Sequence, residues 1–156
     1  MKKLISLMLL ALVCLTFVSC GGNNGAEIKI DTAALTEGLL TGQEYTYKME
    51  QIDEDIALSL YSVEKADVVS VHMYSAGGVS AEEIAVFEAV SPEAADRILK
   101  SAKLRIETQI ESFTDYVPAE IPKLNNAVVK GKGNYVVVSV SPNYTKAAEV
   151  INDFLK

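Results

Sequence analysis

Apolar and polar positions follow two different periods along this chain, and the switches between them mark its elements. Leu4 to Val18 is an apolar run of about 15 residues behind Lys2 and Lys3, broken by Ser6 and Thr16. Gly21 to Gly25 then carries no hydrophobic side chain. Glu27 to Ile30 alternates briefly, as a short edge strand does. Asp31 is placed to cap a helix, with Ala34, Leu35, Leu39 and Leu40 at helical spacing and Gly42 to end it. Gln43 to Gln51, with Tyr45, Tyr47 and Met49 alternating, predicts a strand. Asp53, Glu54 and Asp55 suit the positive end of a second helix, in which Ile56, Ala57, Leu60 and Tyr61 share a face.

Beyond Asp67 the period is clearer. Val68 to Tyr74 alternates, with Val69, Val71 and Met73 on one face and Ser70, His72 and Tyr74 on the other. Gly77-Gly78 predicts a turn. Glu82 to Val90 is apolar on both faces from Ile84 to Phe87, as a central strand is. Ser91-Pro92 places an N-cap and a first-turn proline before a long helix over Glu93 to Asp115. Its buried stripe is Ala95, Ile98, Leu99, Ala102, Ile106, Ile110 and Phe113. Its outer face pairs Glu93 with Arg97, Asp96 with Lys100 and Lys103 with Glu107 at i, i+4. Pro118 and Pro122 exclude helix interior from the loop that follows. Ala127 to Lys130 and Asn134 to Val140 predict a second hairpin around Gly131-Lys132-Gly133. Ser141-Pro142 then opens a last helix with Ala147, Ala148, Ile151, Phe154 and Leu155 inward.

Strand, turn, strand, Ser-Pro and helix therefore occur twice. The fold class expected is α+β: an antiparallel sheet built from two β-hairpins, helices packed on one face, and a ββα duplication as a topology argument only.

The amino-terminal pattern changes the picture of where the chain works. Lys2 and Lys3, the apolar run and small Ser19 before Cys20 have the three parts of a secretory signal. A spanning helix needs about 20 apolar residues, more than this run supplies. Bulky Phe17 at −3 and Ser19 at −1 suit lipoprotein processing at Cys20 better than ordinary secretory cleavage. Residues 1–19 are thus expected to be a lipoprotein signal peptide, 20–26 a lipidated cysteine and flexible tether, and 27–156 one α+β domain. A diacylglyceryl group on Cys20 would provide the second chain that stable anchoring requires. The expected location is the extracytoplasmic face of the cell membrane.

Without Lys2 and Lys3, 12 basic and 21 acidic residues give a net charge of −9. That charge opposes nucleic acid and gives the domain no attraction to anionic lipid. The domain has no cysteine besides Cys20, which excludes an internal disulfide, a thiol nucleophile and a cysteine zinc site. No cofactor motif is present. His72 is the sole imidazole and reads as a solvent-facing strand residue. Asp53-Glu54-Asp55 lacks the loop of a hard-cation site and reads as helix capping. Glu82 and Glu83 are neighbours on a strand and so point to opposite faces, unlike a catalytic pair. Tyrosine is the enriched type with a contact role, having an apolar ring and a wet hydroxyl. Tyr74 and Tyr135, with His72, form the candidate binding surface, on the side of the sheet expected to be free of helices.

Three segments carry a family resemblance: Gly77-Gly78-Val79-Ser80-Ala81-Glu82-Glu83 running on to Ala89, Glu111 to Glu120, and Asn125 to Val129 with Gly133-Asn134-Tyr135-Val136. In this order, after a lipoprotein signal, they resemble a family of small lipoproteins from low-GC Gram-positive bacteria, whose domain is described only as one of unknown function. The resemblance spans about Asp53 to the C-terminus. It implies an extracytoplasmic, membrane-anchored α+β domain and no activity or catalytic residue. The residues point to a non-catalytic binding or protein-interaction module, meeting another envelope protein or a cell-wall component. The alternatives are a carboxylate-dependent cell-wall hydrolase and an accessory lipoprotein of a transporter.

Overall fold

A computed structural model describes residues 29–156. The expected signal peptide, Cys20, the tether and half of the Glu27–Ile30 strand lie outside the described residues, and Lys29 and Ile30 are not in a strand. The elements run α1 (Thr32–Thr41), β1 (Glu50–Ile52), α2 (Glu54–Tyr61), β2 (Val68–Ser75), β3 (Glu83–Ala89), α3 (Pro92–Tyr116), α4 (Ile121–Asn125), β4 (Val128–Lys132), β5 (Tyr135–Val140) and α5 (Tyr144–Phe154). No helix among the described residues is long and apolar enough to cross a membrane.

The five strands form one open antiparallel sheet in the order β1-β2-β3-β5-β4. The architecture is α+β with two hairpins, β2-β3 and β4-β5, joined at β3 and β5. Val86 faces His72 on one side and Val137 on the other, which fixes the register across the centre. Because β3 and β5 are central, nearly every side chain in them is buried.

Helices cover both faces of this sheet, not one. Met73, Ala85, Phe87, Val136 and Val138 pack under α2, α3 and α4. Ile84, Val86, Tyr135 and Val137 pack under α1 and α5. A central strand that is apolar on both faces needs two covers, because each fully buried Val, Ile or Phe gains about 1.5–3 kcal/mol over exposure. The second cover depends on Gly38, where a Cβ would stand 3.4 Å from Val150 and 3.6 Å from Phe154, so α1 and α5 lie close together.

The same placement limits the duplication. A two-fold axis normal to the sheet exchanges the two hairpins, and it would leave their following helices on one face. α3 and α5 lie on opposite faces, so the ββα echo stops at the hairpins.

Most local signals act as the sequence predicts. Asp31 accepts from the Ala34 N–H at 2.9 Å and Ser91 from the Ala94 N–H at 3.2 Å. Gly77, Gly78 and Gly133 take the positive φ values their turns require. Other elements differ for identifiable reasons. Gln43 to Met49 is no strand: the Thr46 and Tyr47 amides bond the Glu82 carboxylate, not a neighbouring strand. A register shift between Val68 and Ser70 turns Val69 out to 58 % exposure and Val68 in. In α2 the buried face is Ala57, Leu58 and Tyr61, while Ile56 and Leu60 are exposed. Pro118 and Pro122 stand in the first turns of short helical segments. The last helix is capped by Asn143, two residues after Ser141.

Candidate functional site

The motif Ser80-Ala81-Glu82-Glu83 sits where the turn after β2 enters β3, and its two carboxylates are buried on separate partners. Glu82 accepts from Lys123 Nζ at 2.8 Å and from the backbone amides of Thr46 and Tyr47. Lys123 also reaches Glu120, which accepts from the Ala81 N–H at 2.9 Å and from the Ser80 hydroxyl. Burial alone would raise the Glu82 pKa, but the bonds from Lys123 and Thr46 outweigh it and hold the carboxyl below its ordinary value. Burial likewise works to lower Lys123, and its bonds to Glu82 and Glu120 outweigh that and raise it. This network ties the 43–49 segment and α4 to the end of the sheet.

Glu83 belongs to a second network. It accepts from the Tyr61 hydroxyl at 2.6 Å, from Arg105 Nε at 2.8 Å and from Arg105 Nη2. Arg105 Nη1 donates to the Leu60 carbonyl, and the guanidinium lies 5.0 Å from the centre of the Tyr61 ring. Tyr61 meets Phe87 edge to face at 5.0 Å. Burial first, and then the Glu83 charge, push the Tyr61 hydroxyl well above its ordinary pKa. The bonds thus bind α2, α3 and β3 into one unit. Arg97 is likewise not paired along its own helix. It crosses to Asp67, with Nε at 2.8 Å and Nη2 at 2.5 Å.

Above these pairs lies a groove between the end of α2 and the outer side of α3. One part, about 330 Å³, is lined by Ser62, Val63, Asp67, Arg97, Ile98 and Lys100 among others. The other, about 390 Å³, is lined by Leu60, Tyr61, Arg105, Thr108, Gln109 and Phe113 among others. Ser62, Ser101 and Leu104 border both parts, and Leu104 is 60 % exposed. From Arg97 to Phe113 the groove runs along α3 for about 24 Å. The sequence signal for it was a polar stripe at helical spacing, Ser101, Arg105, Thr108 and Ser112, beside the apolar one.

The tyrosine surface takes another form. His72 and Tyr74 do share a face with Tyr135, as the alternation implies, but that face lies under α1 and α5. Tyr135 is 4 % exposed, and His72 and Tyr74 are half-buried. The strand register brings Ser70, Glu88 and Tyr135 into one row and leaves Tyr74 at the far end of the strands. The three therefore do not form an open patch. Tyr45 is drawn inward too, donating to the Leu39 carbonyl at 3.1 Å, and burial lifts its pKa above the ordinary tyrosine value.

A family model described as a domain of unknown function (DUF4358) matches residues 43–141. The chain belongs to this family. The match begins ten residues before the stretch expected from the sequence motifs and stops short of α5. Both buried networks and the whole groove lie inside it, while α1 and α5 lie outside. No curated protein and no solved structure matches the chain significantly.

Proposed function

We propose that the chain is a lipid-anchored module on the extracytoplasmic face of the membrane, which binds a ligand or partner in the α2–α3 groove and does no chemistry on it. The observation that carries this reading is the division of polar groups. Glu82, Glu83 and Glu120 are buried and saturated by cations and hydrogen bonds of the scaffold. A general acid or base must be free to exchange its proton with a substrate, and these three are committed to holding helices on the sheet. The groove, by contrast, keeps the Ser62, Ser101 and Thr108 hydroxyls and the Gln109 carboxamide oxygen, which make no hydrogen bond to a described residue.

The Lys2-Lys3 start, the apolar run and Ser19-Cys20 support the anchor. Twelve residue-to-residue steps separate Cys20 from Thr32, a reach of roughly 40 Å at full extension. A lipidated Cys20 would keep the groove near the membrane surface.

Three variants test the reading in intact source membranes. Cys20→Ala should move the chain from the membrane to the soluble fraction. A photo-crosslinking residue at Leu104 should give a defined adduct, and one at Glu149 on α5 should give none. Membrane retention of Cys20→Ala, or adducts at Glu149 and not at Leu104, would contradict the proposal. An adduct with a transporter subunit would make the chain a transporter accessory.

A further inference from the structure

We propose that the α2–α3 groove takes an uncharged saccharide bearing hydroxyl and amide groups, with Ser62 and Gln109 as its polar contacts. The proposal rests on the groove being the binding site. Ser62 supplies the first observation. It ends α2 at φ 51°, the one non-glycine at positive φ among the described residues. Its N–H closes onto the Leu58 and Ser59 carbonyls, and the Val63 N–H reaches Leu58 at 3.0 Å. Glycine ordinarily stands at such a helix end, because a Cβ is strained there. Serine keeps a hydroxyl at the cost of that strain. No hydrogen bond from the hydroxyl to a described residue offsets it, and the residue lies where the two parts of the groove meet. Backbone strain retained without local compensation is characteristic of ligand sites.

Gln109 supplies the second. It lines the larger hollow, and its carboxamide oxygen is buried with no hydrogen-bond partner among the described residues. Native folds seldom leave such an atom alone, and a donor from outside the fold would complete it.

The charges supply the third. Arg105 is held in two places by Glu83, and Arg97 in two places by Asp67. Lys100 and Glu64, also at the groove, are opposite in sign. At the two arginine pairs an anion would have to displace a carboxylate and a cation an arginine, while Lys100 and Glu64 offset each other, so the groove favours neither sign of charge. An uncharged ligand displaces neither partner. Small hydroxyls (Ser62, Ser101, Thr108) beside aliphatic Leu104 match a sugar, with C–H on the ring face and O–H at its rim. An amphipathic peptide helix would cover Leu104 and leave the hydroxyls and the Gln109 oxygen without partners.

The probe is the N-acetylglucosamine tetramer, titrated into the isotope-labelled full chain in detergent micelles and followed by amide NMR. Saturable shifts should fall on residues 60–64 and 97–113. Ser62→Gly should weaken binding about tenfold although it melts at a higher temperature than the parent. Gln109→Leu, similar in volume, should also weaken binding about tenfold. Absent shifts, shifts on another face, or undiminished affinity in both variants would overturn the proposal. A failed titration with a Leu104 adduct still forming in membranes removes the saccharide and leaves the groove reading standing. Failure of both removes both.

Discussion

Removing the Arg105 guanidinium should cost far more than removing the similar one at Arg97. The Glu83 side chain is 1 % exposed and that of Arg105 is 14 % exposed, whereas Arg97 is 60 % exposed. Arg105→Met keeps most of the aliphatic stem and leaves Glu83 with the Tyr61 hydroxyl as its remaining donor. Stripping one partner from a buried pair costs about 3–5 kcal/mol. The cation–π contact with Tyr61, about 0.5–1 kcal/mol, is part of that loss. Arg97→Met breaks a pair that solvent screens and should cost far less. The double variant Glu83→Gln/Arg105→Met should recover about half of the Arg105→Met loss, because its uncharged amide oxygen still accepts from Tyr61. The chain has no tryptophan, so urea unfolding at pH 7 is best followed by far-ultraviolet circular dichroism. With a slope of about 2 kcal/mol per molar urea, Arg105→Met should lower the midpoint by roughly 2 M and Arg97→Met by only a small part of that. Equal shifts for the two arginines, or a double variant no better than Arg105→Met, would refute the reasoning.

Three further outcomes follow from the same geometry. The Glu82 contribution is present above the ordinary carboxylate value of 4.5 and is lost as pH falls through its lower folded-state value. The Tyr61 contribution is present below 10.0 and is lost as pH rises towards its raised value, so urea midpoints against pH should show a plateau with both edges, and Tyr61→Phe should flatten the alkaline one. Ser62→Gly should raise stability by about 0.5 kcal/mol, the relief of left-handed strain less the extra freedom of glycine in the unfolded chain; a drop in urea midpoint would show that the serine is structural. Gly133→Val should destabilise by more than 1 kcal/mol in the same assay, since Gly133 sits at φ +57° in the β4–β5 turn.

The elements legible in the sequence are those whose determinants are local. Asp31, Ser91-Pro92, the Gly77-Gly78 pair and Gly133 act through their own backbone, and each does what its type dictates. The apolar run in β3 announced a central strand covered on both faces, and that fact already required helices on both sides. The repeated strand-turn-strand-helix order suggests one shared face, but that order records sequence and not the side to which a helix crosses. The Gln43 to Met49 segment looks like a strand by alternation. What decides its shape is Glu82, more than 30 residues away, whose carboxylate takes the amides a strand partner would have used.

The candidate site was half legible for the same reason. Adjacent positions for Glu82 and Glu83 implied opposed directions, and the structure gives each its own cation. Neither Lys123 nor Arg105 could be assigned as the partner, because nothing local links them to the motif. The Arg97 pairing fell to Asp67 across the fold and not to Glu93 one turn back. Tyrosine content points to the sheet, whereas the unclaimed polar groups of the groove lie on α3 and at the end of α2. The Ser101-Arg105-Thr108-Ser112 stripe was present in the sequence, but only the position of α2 turns it into the wall of a groove.

Thiol accessibility tests the central claim most directly, since residues 27–156 contain no native cysteine to interfere. Leu60→Cys, Leu104→Cys and Glu149→Cys are labelled with a maleimide, each in intact source membranes and again after purification. Occupation of the groove predicts labelling of positions 60 and 104 at least tenfold slower in membranes than in the purified chain, with position 149 unchanged. Equal rates at 60 and 104 in both settings, or protection at 149 alone, would contradict the account.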